Sequence, residues 1–179
     1  IIYEDSIHAH RYYSVYTNAN TRAIYDRDSA NPSAVNNFFP SVIEFNKNKL
    51  QEMLYKLDET LKINPDAKVE LILEGSASKP QTVNYNDALS QRRLDSVVQY
   101  IRSIGQLANA IDVTKQLTLV LIPKGENTTV QPVGQNNMKF ETFNCANLDA
   151  DRLSRPEAIY SVNAMSCRRV KFNINVNIP

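Results

Sequence analysis

The sequence predicts an α+β domain, a mixed sheet with helices packed on one face, ordered β-α-β-α-β-(insertion)-β. Three patterns carry this. Leu50, Met53, Leu54, Leu57 and Leu61 draw one apolar stripe along a helix. Val69, Leu71 and Leu73 alternate with Lys68, Glu70 and Glu74, as a half-buried strand requires, with Ile72 the apolar exception. Val170, Phe172, Ile174, Val176 and Ile178 alternate with Lys171, Asn173, Asn175 and Asn177. In that last strand a slip of one residue would bury the asparagines, so its register is strongly specified and one face should meet the core.

The elements follow in order. Residues 1–36 are rich in Tyr (Tyr3, Tyr12, Tyr13, Tyr16, Tyr25) and read as an N-terminal arm, either a linker or an added strand, with 28–37 a loop punctuated by Asn31-Pro32-Ser33. The domain proper spans 37–179. Phe38 to Phe45 is a strand candidate, with Pro40 at an edge or start. Asn46 or Asn48 can cap the first helix, and Asn64-Pro65-Asp66 ends it. After the strand at 68–75 comes a polar loop over 75–86. The second helix starts near Asn86, carries Leu94, Val97, Val98, Ile101 and Ile104 on one face, and stops at Gly105. Leu117 to Ile122 is apolar on both faces and is expected to be a central strand. Residues 123–166 form an insertion, with a short helix expected near 146–153 or 156–165.

Bulk properties narrow the function. The 179 residues suffice for one packed domain. The formal net charge is +1 with Lys and Arg dispersed, so no basic stripe favours nucleic acid. No run reaches the roughly 20 apolar residues of a membrane span. The chain opens Ile1-Ile2-Tyr3 with no signal pattern and reads as a processed or excised piece. Cys145 and Cys167, the two cysteines, are compatible with one disulfide or with two buried thiols.

Three stretches resemble the OmpA C-terminal-like family. The first is Phe45-Asn46-Lys47-Asn48, followed by the amphipathic helix and Asn64-Pro65-Asp66. The second is Leu71-Ile72-Leu73-Glu74-Gly75-Ser76-Ala77-Ser78 with the helix start Asn86 to Arg93, which fits the family's N-x-x-L-S-x-x-R. The third is Arg168-Arg169-Val170, like the family's N-R-R-V entry to its last strand. The resemblance covers about residues 38–179, apart from the insertion, and the second stretch is the most specific.

The resemblance implies a non-catalytic cell-envelope module that binds peptidoglycan through the diaminopimelate of the stem peptide. It implies a periplasmic or outer-membrane-associated location in a Gram-negative bacterium. The family's clamp Arg matches Arg93, and its loop Asn matches Asn86. Where the family has Asp, this chain has Ser78. Arg93 can grip a carboxylate by two parallel bonds, whereas Ser78 cannot neutralise an ammonium. Losing a charged partner costs about 1.5–3 kcal/mol, roughly 10- to 100-fold in affinity. Arg169 is expected to border the pocket. The resemblance also implies a Cys145–Cys167 disulfide and so an oxidising compartment. An alternative is a fold that has lost wall binding and serves in protein assembly, using the arm or the insertion to meet other envelope proteins.

No cofactor or metal is expected. His8 and His10 are the only histidines and lack nearby ligands for a four-coordinate site. No G-x-S-x-G elbow occurs, and the four glycines build no phosphate cradle. The carboxylates Asp149 and Asp151 in the insertion, or Glu52, Asp58 and Glu59 on the first helix, fit solvated faces better than acid–base catalysis.

Overall fold

The computed structural model describes residues 2–3, 27, 31–79, 82–147 and 161–177. Six strands and five α-helices are used below. They are β1 (Ile2–Tyr3), α1 (Pro32–Phe38), α2 (Phe45–Ile63), β2 (Lys68–Gly75), α3 (Val83–Arg102), α4 (Leu107–Asp112), β3 (Leu117–Pro123), β4 (Thr129–Val130), β5 (Phe143–Asn144), α5 (Val162–Cys167) and β6 (Arg169–Asn177).

The main sheet runs β1-β6-β2-β3. β2 and β3 are parallel, and β6 is antiparallel to both of its neighbours, so the sheet is mixed as expected. Its core face holds Val69, Leu71, Leu73, Leu117 and Val170 against Leu50, Leu54, Leu57 and Leu61 of α2 and Leu94, Val97 and Ile101 of α3. The helical stripe and the strand alternation therefore close on each other, and the fold is α+β with helices on one face.

The segment Phe38 to Phe45 is helical, not a strand. α1 passes through a π-helical turn, Phe39–Glu44, directly into α2. Val35, Phe38, Phe39, Val42 and Ile43 are all buried, and offsets of 3, 4, 7 and 8 fit a helix face and no strand face. They pack with Met165 and Phe140; the Phe38 and Phe140 rings meet edge-on at 5.4 Å. The helical run starts at Asn31, whose Oδ1 accepts from Ala34 N–H at 3.0 Å, so residues 32–37 are helix rather than loop. Asn46 does not cap; its Nδ2 donates to the Val42 and Val133 carbonyls. The first strand of the sheet comes instead from the arm, as Ile2–Tyr3 paired with Val170 and Arg169.

Other differences are smaller. α3 begins at Val83, capped by Thr82, ahead of the expected start. α4 extends the apolar period beyond Gly105 through Leu107, Ala110 and Ile111. β3 lies at the sheet edge rather than the centre. Its apolar outer residue Val120 is paired with Ile72, so the two half-buried side chains shield each other laterally. β6 meets the core only near its start. Val170 is buried, but Ile174 and Val176 are 41% and 52% exposed beside an open cleft of about 410 Å³ against Met53 and Leu57 of α2. Within the insertion, Cys145–Asn147 is a 3₁₀ turn and α5 supplies its helix; the remainder of both expected helical ranges lies outside the described residues. Among the described residues no helix is long and apolar enough to cross a membrane.

Candidate ligand-binding site

Four chain segments meet beyond the carboxyl ends of β2 and β3, where parallel strands leave their loops. The in-register pairing of Gly75 with Pro123 brings both exits side by side. Lys124 N–H donates to the Gly75 carbonyl at 2.8 Å, and Ala77 N–H donates to the Gly125 carbonyl at 2.7 Å. Gly125 adopts φ +53°, and a side chain there would strike the Asp87 carboxylate. From the third side comes the start of β6. Ser76 N–H donates to the Arg169 carbonyl and Ser76 Oγ to the Cys167 carbonyl, both at 2.9 Å.

α3 closes the fourth side. Arg93 is 4% exposed and its Nη1 donates to the Ser76 carbonyl at 2.6 Å. One helical turn earlier Ser90 Oγ accepts from Gly125 N–H at 3.3 Å. Another turn back, fully buried Asn86 donates from Nδ2 to Glu126 Oε2 at 2.6 Å. The spacing 86, 90, 93 keeps these three side chains on one helix face. That face is the polar end of the stripe that buries Leu94, Val97 and Ile101 farther along.

Of the expected site residues, Asn86, Arg93 and Arg169 all reach this loop cluster, and Ser78 follows Ala77 at its rim, half-buried. Arg169 is 7% exposed, with Nη2 at 3.4 Å from the Thr129 carbonyl. The arginines thus help to organise the loops. The cluster is compact and polar. Two open clefts lie elsewhere, one between α2 and β6 and one beside Asp58 and Gln116.

Cys145 and Cys167 form a disulfide, with Cα atoms 5.7 Å apart. It packs in a small buried cluster with Val130 and Phe143 and ties the insertion to the strand that enters the site. Among the described residues no three His, Cys, Asp or Glu side chains gather as metal ligands. His8, His10, Asp149 and Asp151 lie outside those residues.

Glu126 was not among the expected site residues. It stands alone after Lys124-Gly125 in a loop without a motif. Its partner Asn86 is 40 residues away in sequence. No protein-family model matches the chain, and no curated protein matches it in sequence.

Proposed function

We propose that this chain is a non-catalytic cell-envelope module that holds peptidoglycan by its diaminopimelate-containing stem peptide, in the periplasm at the outer membrane of a Gram-negative bacterium. The observation that carries this reading is the meeting of Asn86, Arg93, Arg169 and Ser78 at the adjoining exits of β2 and β3, although they come from separate parts of the chain. Asn86, Arg93 and Arg169 fall in the stretches that resemble the OmpA C-terminal-like family, and Ser78 stands where that family has Asp. Arg93 offers the carboxylate-binding group, and the strand exits offer backbone and hydroxyl partners.

Co-sedimentation with purified sacculi tests it. Native chain should pellet with the wall, and Arg93→Gln, shown by melting to be folded, should pellet at least about tenfold less. Native chain left in the supernatant would end this reading.

A second reading has its own observation. Arg93 and Asn86 are almost entirely buried and hold loops together, which favours a scaffold that keeps the fold for protein assembly. Capture of an envelope protein through residues 1–36 or 123–166, without sacculus binding, would favour that reading.

A further inference from the structure

We infer that Glu126 is the ammonium-binding group of this site and supplies the negative charge that Ser78 lacks. The inference rests on the wall-binding reading above and names the residue that would recognise the amine. Gly75 and Pro123 are paired in the parallel ladder, and Ser78 and Glu126 each stand three residues beyond them. The Ala77 to Gly125 hydrogen bond keeps the two exits together. A carboxylate on the second exit therefore serves the same mouth as one on the first.

The state of Glu126 points the same way. It is 9% exposed, and its Oε2 accepts the buried 2.6 Å hydrogen bond from Asn86. Among the described residues no Lys or Arg nitrogen forms an ion pair with it. Lys124, two residues away, turns to Glu74 at 3.2 Å, and Lys171 also approaches Glu74, at 3.9 Å. The Asn86 amide and the amino end of α3 give partial compensation, but neither carries a full positive charge. A carboxylate withdrawn from water without a cation costs stability. Such a cost is met at sites where a ligand brings the missing charge. The Asp87 carboxylate, against Gly125, adds to the negative field of the same turn. Together these features fit a ligand bearing both a carboxylate, for Arg93, and an ammonium, for Glu126.

Calorimetric titration with two synthetic tripeptides tests this. One is L-Ala-γ-D-Glu-meso-diaminopimelate; the other carries 2-aminopimelate in the last position and so lacks the distal amine. Native chain should bind the first at least about tenfold more tightly than the second. Glu126→Gln keeps an acceptor for Asn86 and removes only the charge. It should bind both peptides alike, at the native affinity for the amine-free one, and its melting temperature should not fall. Glu126→Asp should keep a preference for the amine. Native-like discrimination by Glu126→Gln would overturn the inference and leave wall binding standing. So would a lowered melting temperature or loss of folding, which would make Glu126 a structural partner of Asn86. Native chain that binds neither the tripeptide nor sacculi would end the wall-binding reading, and this inference with it.

Discussion

At the scale of single residues, two buried acids serve different ends. Asp58 is structural. Its Oδ1 accepts from Gln106 N–H at 2.7 Å and its Oδ2 pairs with Lys62 at 2.5 Å, so it fixes the turn between α3 and α4 to the side of α2. Asp58→Ala should lower unfolding free energy by about 1–3 kcal/mol, measured by urea denaturation. Gly105 lies in the same turn at φ +47°, where a side chain would meet that carboxylate. Gly105→Ala should cost at least about 1–2 kcal/mol from the backbone alone. Neither change should alter sacculus binding, because both lie away from the β2 and β3 exits. Ser78→Asp acts at the site itself and should strengthen sacculus retention about tenfold by adding a second anion at the mouth. Unchanged retention in co-sedimentation would mean that the mouth reads another group. Arg93 and Asn86 could be picked out in the sequence because they match the N-x-x-L-S-x-x-R motif of the family it resembles. Glu126 could not, since only the folded contact with Asn86 distinguishes it from any loop glutamate.

At the scale of elements, periodicity was readable wherever one face alone is buried. β2 was legible to its ends because Lys68, Glu70 and Glu74 mark the open face and Val69, Leu71 and Leu73 the closed one. The α2 stripe was equally plain. Residues 38–45 misled because Pro40 suggested a strand start, although the buried set from Val35 to Ile43 has helical spacing. Pro40 lies where α1 passes into the π-helical turn, and that wider turn replaces the i→i−4 bond that its missing N–H cannot make. β6 misled in the other direction: its alternation is perfect, yet among the described residues its far half borders an open cleft beside α2 instead of the packed core. Leu54→Ala should therefore cost about 2–5 kcal/mol, since Leu54 is fully buried between α2 and the sheet. Val176→Thr should change stability by no more than about 0.5 kcal/mol despite the matching strand pattern. Thermal or chemical unfolding of the two variants side by side checks the contrast.

At the scale of the whole molecule, three packed clusters divide the labour. The sheet with α2 and α3 forms the main core. α1 with the π turn and Met165 forms the second, and the disulfide with Val130 forms the third. Of these, the main core was visible in the sequence, whereas the second depends on contacts of residues 35–43 with Phe140, Val162 and Met165 that no local pattern reveals. The disulfide links the third cluster to β6 and closes the chain between Cys145 and Cys167, 22 residues apart in sequence. Replacing both cysteines by Ser should cost about 2–4 kcal/mol, read as a lower melting temperature than that of the oxidised native chain. Ser76 donates to the main-chain carbonyl of Cys167, which serine also offers, so the folded variant should keep that contact and its sacculus binding.

The site is the claim on which the functional account stands, and backbone chemical-shift mapping of the labelled chain with the diaminopimelate tripeptide tests its location directly. The amides of Ser76 to Ser78, Asn86 to Arg93, Gly125, Glu126 and Arg169 should shift together and saturate at one ligand concentration. Perturbations confined to the cleft between α2 and β6, or none at millimolar ligand, would contradict it.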